Sequence, residues 1–275
     1  MAVDVPGGIL KQSDVRETIT NTEEVGVGWN LAYIRYDRRF NTALAADLRG
    51  IYISPDGYHI YICRDGGAAS YVYQYLLGTA WDISTASFVQ NLEVTAKEVN
   101  IQGVHFKPDG TKMYTIGRDG ESVDEYNLTT AWDISTAAYS QEFDVGIVGQ
   151  GMFIREDGKQ MFVSDGVNTE VDSYNITTAW DITTAEYVEK GLNLASPRGL
   201  WFSRDGTYVF MCDGTILRRW TMTTVFSIAT AAADTTYTPA PAGNAQAATF
   251  KANGSKMYML VGTYIQEYTI KRGWR

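Results

Sequence analysis

Five times along this chain an Asp-Gly or Asn-Gly pair separates two apolar runs, with Asp56, Asp109, Asp157, Asp205 and Asn253 as its first residues. The intervals are 53, 48, 48 and 48 residues. Both residues of such a pair tolerate positive φ, which makes it the strongest short-range hairpin signal. One hairpin unit cannot bury its apolar face alone, so a regular array of them must stack copies against each other.

Aligned on that turn, the columns agree. An aromatic follows five positions later: Tyr61, Tyr114, Phe162, Phe210, Tyr258. A small residue stands six positions before it: Gly50, Gly103, Gly151, Gly199, Ala247. A third apolar run carries Tyr75, Tyr126, Tyr174, Trp220 and Tyr268, and six residues on come Trp81, Trp132, Trp180, Phe226 and Trp274. Three of these open nearly identical strings, "AWDISTA" at Ala80 and Ala131 and "AWDITTA" at Ala179. A fourth extended stretch follows each. Units of four short strands, here called a to d, at this period are expected to be blades of a β-propeller.

The chain ends supply the blade count. The last unit stops at Trp274, after strand c. Trp29 lies 27 residues before Asp56, in the Trp column, and Leu31 to about Asn41 reads as a d strand with no a, b or c before it. The expected fold class is therefore all-β: a single five-bladed β-propeller, its ring closed by the N-terminal strand pairing with the C-terminal blade. Closure removes the free sheet edges that invite aggregation. The expected division is an arm over 1–28 and a propeller over 29–275, with units near 29–80, 81–131, 132–179, 180–225 and 226–274.

The formal net charge is −9, with no basic cluster, so nucleic acid and anionic membrane are poor partners. No apolar run reaches the roughly 18 residues of a membrane span. The start, "MAVDVPGGILKQSDV", reads as no secretory signal. Cys63 and Cys212 share one column in blades 1 and 4, too far apart for a disulfide, and read as free core thiols.

The string "FKPDGTKMYTIG" (Phe106 to Gly117) resembles the repeat of YVTN-type propellers. Together with "YNLTTAWDISTA" it is similar to propeller repeats found in tailed-bacteriophage and marine microbial proteins, where such domains are tail, nozzle or fibre components. The resemblance implies a non-enzymatic virion protein. Its partners would be other virion proteins, reached through residues 1–28, or a host surface glycan or protein. It transfers no residue's role. The alternatives are a free five-bladed lectin and a propeller hydrolase.

Hydrolysis would need carboxylates converging on the channel. The inner strands "RGIYIS", "QGVHFK", "QGMFIR", "RGLWFS" and "QAATFK" contain none, and Asp47 is the single acid just upstream. No catalytic residue, resident metal or cofactor is expected. His59 reads as solvent-facing, and His105 as inter-blade packing. Asp165, Asn168 and Asp172, or Asp119, Glu121 and Asp124, have oxygen ligands at spacings that fit a known Ca²⁺ loop poorly. The candidate binding residues are Arg49, Gln102, Gln150, Arg198 and Gln246, each one position before the small residue. All five can donate hydrogen bonds at one channel mouth; their other reading is to satisfy loop carbonyls. The Trp-Asp pairs Trp81-Asp82, Trp132-Asp133 and Trp180-Asp181 read as structural turns, each Trp lying over its own sheet and each Asp capping the backbone two or three residues on.

Overall fold

A computed structural model describes residues 29–271. The 1–28 arm and Trp274 lie outside the described residues. Twenty strands form five antiparallel four-stranded sheets. Strand β1 (Ile34–Asn41) stands alone at the start. Blade 1 follows as β2 (Leu48–Ile53), β3 (His59–Asp65), β4 (Ser70–Leu77) and β5 (Ala86–Glu93). Blade 2 is β6 (Ile101–Phe106), β7 (Lys112–Gly117), β8 (Ser122–Leu128) and β9 (Ala137–Asp144). Blade 3 is β10 (Gly149–Ile154), β11 (Gln160–Asp165), β12 (Val171–Ile176) and β13 (Ala185–Gly191). Blade 4 is β14 (Pro197–Phe202), β15 (Tyr208–Asp213), β16 (Ile216–Met222) and β17 (Ala231–Tyr237). Blade 5 joins β18 (Ala245–Phe250), β19 (Lys256–Val261) and β20 (Tyr264–Ile270) to β1, so the ring closes with the first strand.

The closing pair runs antiparallel from Ile34 opposite Ile270 to Asn41 opposite Tyr264. The expected strand from Leu31 starts three residues later, because Leu31–Tyr33 form a 3₁₀ turn. Asn30 Oδ1 accepts the Ala32 N–H there at 3.0 Å. Trp29 fills the slot between blades 4 and 5, with its ring 5.9 Å from Phe210 and 5.7 Å from Phe250. Trp132 stands in the same way between blades 1 and 2, 6.5 Å from Tyr61 and 5.6 Å from Phe106.

There is no single core. Five apolar clusters lie in the five seams between adjacent blades. The b-strand aromatics Tyr61, Tyr114, Phe162, Phe210 and Tyr258 are fully buried in them. Truncating one to Ala would cost about 3–5 kcal/mol.

Each Trp ring of the Trp-Asp strings lies over its own blade, at the Asp-Gly turn, and the string also reaches the preceding blade. Trp81, Trp132, Trp180 and Phe226 have φ of 64°, 66°, 65° and 57°, a left-handed conformation unusual for bulky residues. Such strain costs roughly 1–3 kcal/mol and persists only where the surroundings enforce it. Here three contacts do so. The Trp81 N–H donates to Gly57 O at 2.9 Å. Its ring covers Gly57, where a Cβ would lie 2.3 Å from the indole. Its carbonyl accepts the Tyr258 hydroxyl of the preceding blade at 2.6 Å. The string thus joins neighbouring blades.

His59 also departs from its reading. It is half-buried and stacks on Trp132 at 5.9 Å and 15°. Burial holds its pKa below the usual histidine value, against the pull of Asp56. Its column faces the next blade's Trp turn: Lys112 and Lys256 donate to the carbonyls of Trp180 and Trp81 at 3.1 and 3.3 Å. Cys63 and Cys212 are free and buried.

Candidate functional site

The channel is set by how closely the five inner strands approach. A Cβ on Gly50 would lie 2.9 Å from Gln102 O, and one on Gly151 would lie 2.8 Å from the Gly199 Cα. Only a residue without a side chain allows backbones this near. On either side of that waist the strands present two mouths of opposite character.

At one mouth stand Arg49, Gln102, Gln150, Arg198 and Gln246. Gln102 and Gln150 are buried, and the other three are half-buried. Gln102 Nε2 donates to Asn100 O at 3.3 Å, the loop-satisfying role. The others face side chains. Arg198 Nη1 donates to Gln246 Oε1. Arg49 Nη2 reaches Asp65 at 3.4 Å and Asp47 at 3.5 Å. Gln150 Oε1 accepts from Arg118 Nη2 at 3.1 Å. Arg118 is a member of this mouth that the column pattern misses. It sits just past β7, where the repeats have Asp65 and then glycines, and the strand spacing carries no signal for it.

The opposite mouth is closed by aromatics from the column two residues past the small one. Tyr52 meets His105 at 5.1 Å and 75°, His105 meets Phe153 at 5.4 Å and 65°, and Phe153 meets Trp201 at 6.2 Å and 68°. These edge-to-face contacts match the inter-blade role expected for His105. Burial drives the His105 pKa down to about 3, so it is a neutral packing residue. The Tyr52 hydroxyl donates to Phe106 O of the next blade at 3.4 Å. Above this girdle lies an apolar cup of about 80 Å³ with Pro55, Pro108 and Arg155 in its wall. Its charged groups are already paired, Arg204 with Glu156 at 2.9 Å and Arg155 with Asp157, and its Tyr52 hydroxyl is taken by backbone, so the donor-lined mouth is the better candidate site.

The Asp residues of the Trp-Asp strings cap 3₁₀ turns. Asp82, Asp133 and Asp181 accept N–H groups from Ser84, Ser135 and Thr183 at 3.0, 3.0 and 3.2 Å. Hydrogen bonds from the same residues' hydroxyls hold their pKa values below the usual carboxylate range. The preceding blade adds Arg38 to Asp82, Gln90 to Asp133 and Gln141 to Asp181.

The two loop sets considered for Ca²⁺ are differently engaged. Asp165 Oδ1 accepts the Val167 and Asn168 N–H groups at 2.7 and 3.2 Å, and its Oδ2 accepts Asn168 Nδ2. Asn168 therefore turns a donor toward Asp165. Asp119 accepts from Asn100, whereas Asp124 is buried among Glu98 and Glu142. Among the described residues no three acids, histidines or cysteines gather at metal-holding distance.

No protein-family model and no curated protein matches the sequence. Solved structures match the fold. A functionally unknown protein from Desulfotomaculum acetoxidans aligns with a TM-score of 0.52 and 13% identity, over 78% of this chain and 65% of its own. The periplasmic gluconolactonase of Pseudomonas aeruginosa aligns with a TM-score of 0.50 and 16% identity, also over 78% and 65%. The chain thus spans less than two thirds of the length of both. At such identities the likeness concerns the propeller fold alone.

Proposed function

We propose that this propeller is a non-enzymatic component of a phage virion, part of the tail or its fibres, serving as an assembly platform or a host-contacting module. Its donor-lined channel mouth is the point of contact. The observation that carries the reading is the convergence of Arg49, Gln150, Arg198 and Gln246, one from each of four blades, on one mouth of a ring whose inner strands contain no acid. The repeat's resemblance to phage propellers supplies the virion context. A ring of interlocked blades is a stiff frame whose loops can vary without disturbing its packing.

The test is mass spectrometry of purified particles against the soluble fraction of the same lysate. The chain is expected in the particles at a fixed ratio to the other structural proteins. Recovery in the soluble fraction alone defeats the reading. A lactone hydrolase is the second reading. One observation favours it: Asp47, 60% exposed on its side chain, stands at the mouth beside Arg49. Lactone hydrolysis by the purified chain, lost in Asp47→Asn, would put that reading in the first one's place.

A further inference from the structure

The donor-lined mouth gathers three guanidinium groups, two of which have no direct carboxylate partner, although Asp213 lies near enough to act on Arg198. Arg118 and Arg198 have only glutamine oxygens as side-chain partners, Gln150 and Gln246. Neither has a carboxylate within 4.0 Å among the described residues. Arg49 reaches Asp65 and Asp47 only at 3.4 and 3.5 Å, and its Nε is buried with no partner. Burial, and after it the nearness of Arg49 and Arg118, holds the Arg198 pKa below the ordinary guanidinium value. Three like charges have been brought together on a chain of net charge −9.

A half-buried cation is unfavourable unless it is paired. Here each glutamine carbonyl takes one N–H of a guanidinium and so orients the fork. The remaining N–H groups keep the planar geometry that suits a two-oxygen acceptor. We propose that this mouth binds a small oxyanion, a phosphate, sulfate or carboxylate group, held by Arg118 and Arg198 with Arg49 as third donor. The proposal rests on the mouth being the contact point, and is independent of the virion assignment.

The probes are inorganic phosphate, sulfate and acetate, titrated by calorimetry into the full chain at low ionic strength. Phosphate or sulfate binding ahead of acetate identifies a doubly charged group; acetate binding ahead of both identifies a carboxylate. Arg118→Gln and Arg198→Gln should each weaken the preferred anion about tenfold or more. Arg118 is exposed, so its substitution leaves the fold in place. Arg204→Gln, in the wall of the opposite cup, should change nothing. The absence of saturable heat with all three anions overturns the proposal, as does unchanged affinity in both mouth variants. Particle mass spectrometry can fail without affecting either result.

Discussion

The Tyr258 hydroxyl donates to the Trp81 carbonyl at 2.6 Å, across the seam between the last blade and the first. Tyr61 and Tyr114 make the same bond to Trp132 and Trp180 at 2.6 and 3.0 Å. Where the column holds phenylalanine, another donor takes over. Gln160 donates to Phe226 O at 3.2 Å, and Arg219 donates to Trp29 O. The carbonyl at Trp29, Trp81, Trp132, Trp180 and Phe226 therefore has a donor from the preceding blade at every seam. Trp81 O also accepts from Lys256 Nζ at 3.3 Å. Tyr258→Phe should cost about 1 kcal/mol, and Tyr258→Phe with Lys256→Met more than the sum of the singles, because only the pair leaves the Trp81 carbonyl without a donor. The loss of the Lys256 partner of buried Glu267 is common to the Lys256→Met single and the double. Urea unfolding measures this. Strict additivity would mean that the carbonyl finds water instead.

The degenerate fourth copy of the Trp-Asp string has a partner that explains it. Ser227 stands where the other copies have Asp82, Asp133 and Asp181, and its side chain caps nothing. It faces Glu189, accepting neither Gln90-like nor Arg38-like support; its hydroxyl donates to Glu189 Oε1 at 2.9 Å. An aspartate there would oppose a carboxylate. Ser227→Asp is expected to lower the melting temperature. Ser227→Asp with Glu189→Gln should restore or exceed the parent value by rebuilding the cap, which is worth about 1 kcal/mol. A double variant no better than Ser227→Asp alone would refute the pairing.

These seams mark the limit of what the sequence shows. The period of the Asp-Gly turns and the orphan Trp29 were enough for five blades and for closure through β1 and β20. The face of each strand b residue was harder. Alternation tells two faces apart, and in a sheet with one wet face that separates core from solvent. In a propeller both faces of a blade meet neighbouring blades. The column of His59, Lys112, Gln160, Tyr208 and Lys256 looks polar and outward, yet it serves the next blade's Trp turn. The donor column at the mouth was visible as five polar residues beside the small ones. Arg118 was not, because its nearness to Gln150 is created by packing blade 2 against blade 3.

The waist yields a sharper mutational test. A Cβ on Gly199 would sit 2.5 Å from the Ala247 Cβ, and one on Gly151 would meet backbone at 2.8 Å. Gly199→Ala should therefore destabilise by about 1–3 kcal/mol as an overpacking change. Ala247→Gly in the same chain should relieve most of it. Thermal melts of the two single variants and the double variant decide. A stable Gly199→Ala would mean that the inner strands separate without penalty.

The buried acids give the pH dependence. Asp124 is 1% exposed with Oδ1 unpartnered, and burial, then Glu142 and Glu98, push its pKa up to about 7. Burial, then Glu170 and Asp165, push Asp172 up to about 6. A carboxyl with a folded pKa above its unfolded one binds its proton more tightly in the fold. That contribution is complete below the unfolded carboxylate range and is lost as the pH rises through the folded values. Asp82, Asp133 and Asp181 act in the opposite sense: their lowered pKa values favour the fold above the unfolded value, and that support is lost on acidification. Stability should therefore peak on the acid side of neutrality and decline from about pH 5 to 8. Asp124→Asn should flatten the upper part of that decline and leave the Asp172 step, whereas Asp172→Asn should do the reverse. Melting temperatures at half-unit intervals from about pH 4 to 8 measure both. If the Asp124→Asn curve runs parallel to that of the parent chain, Asp124 is ionised in the fold and the account of its burial is wrong.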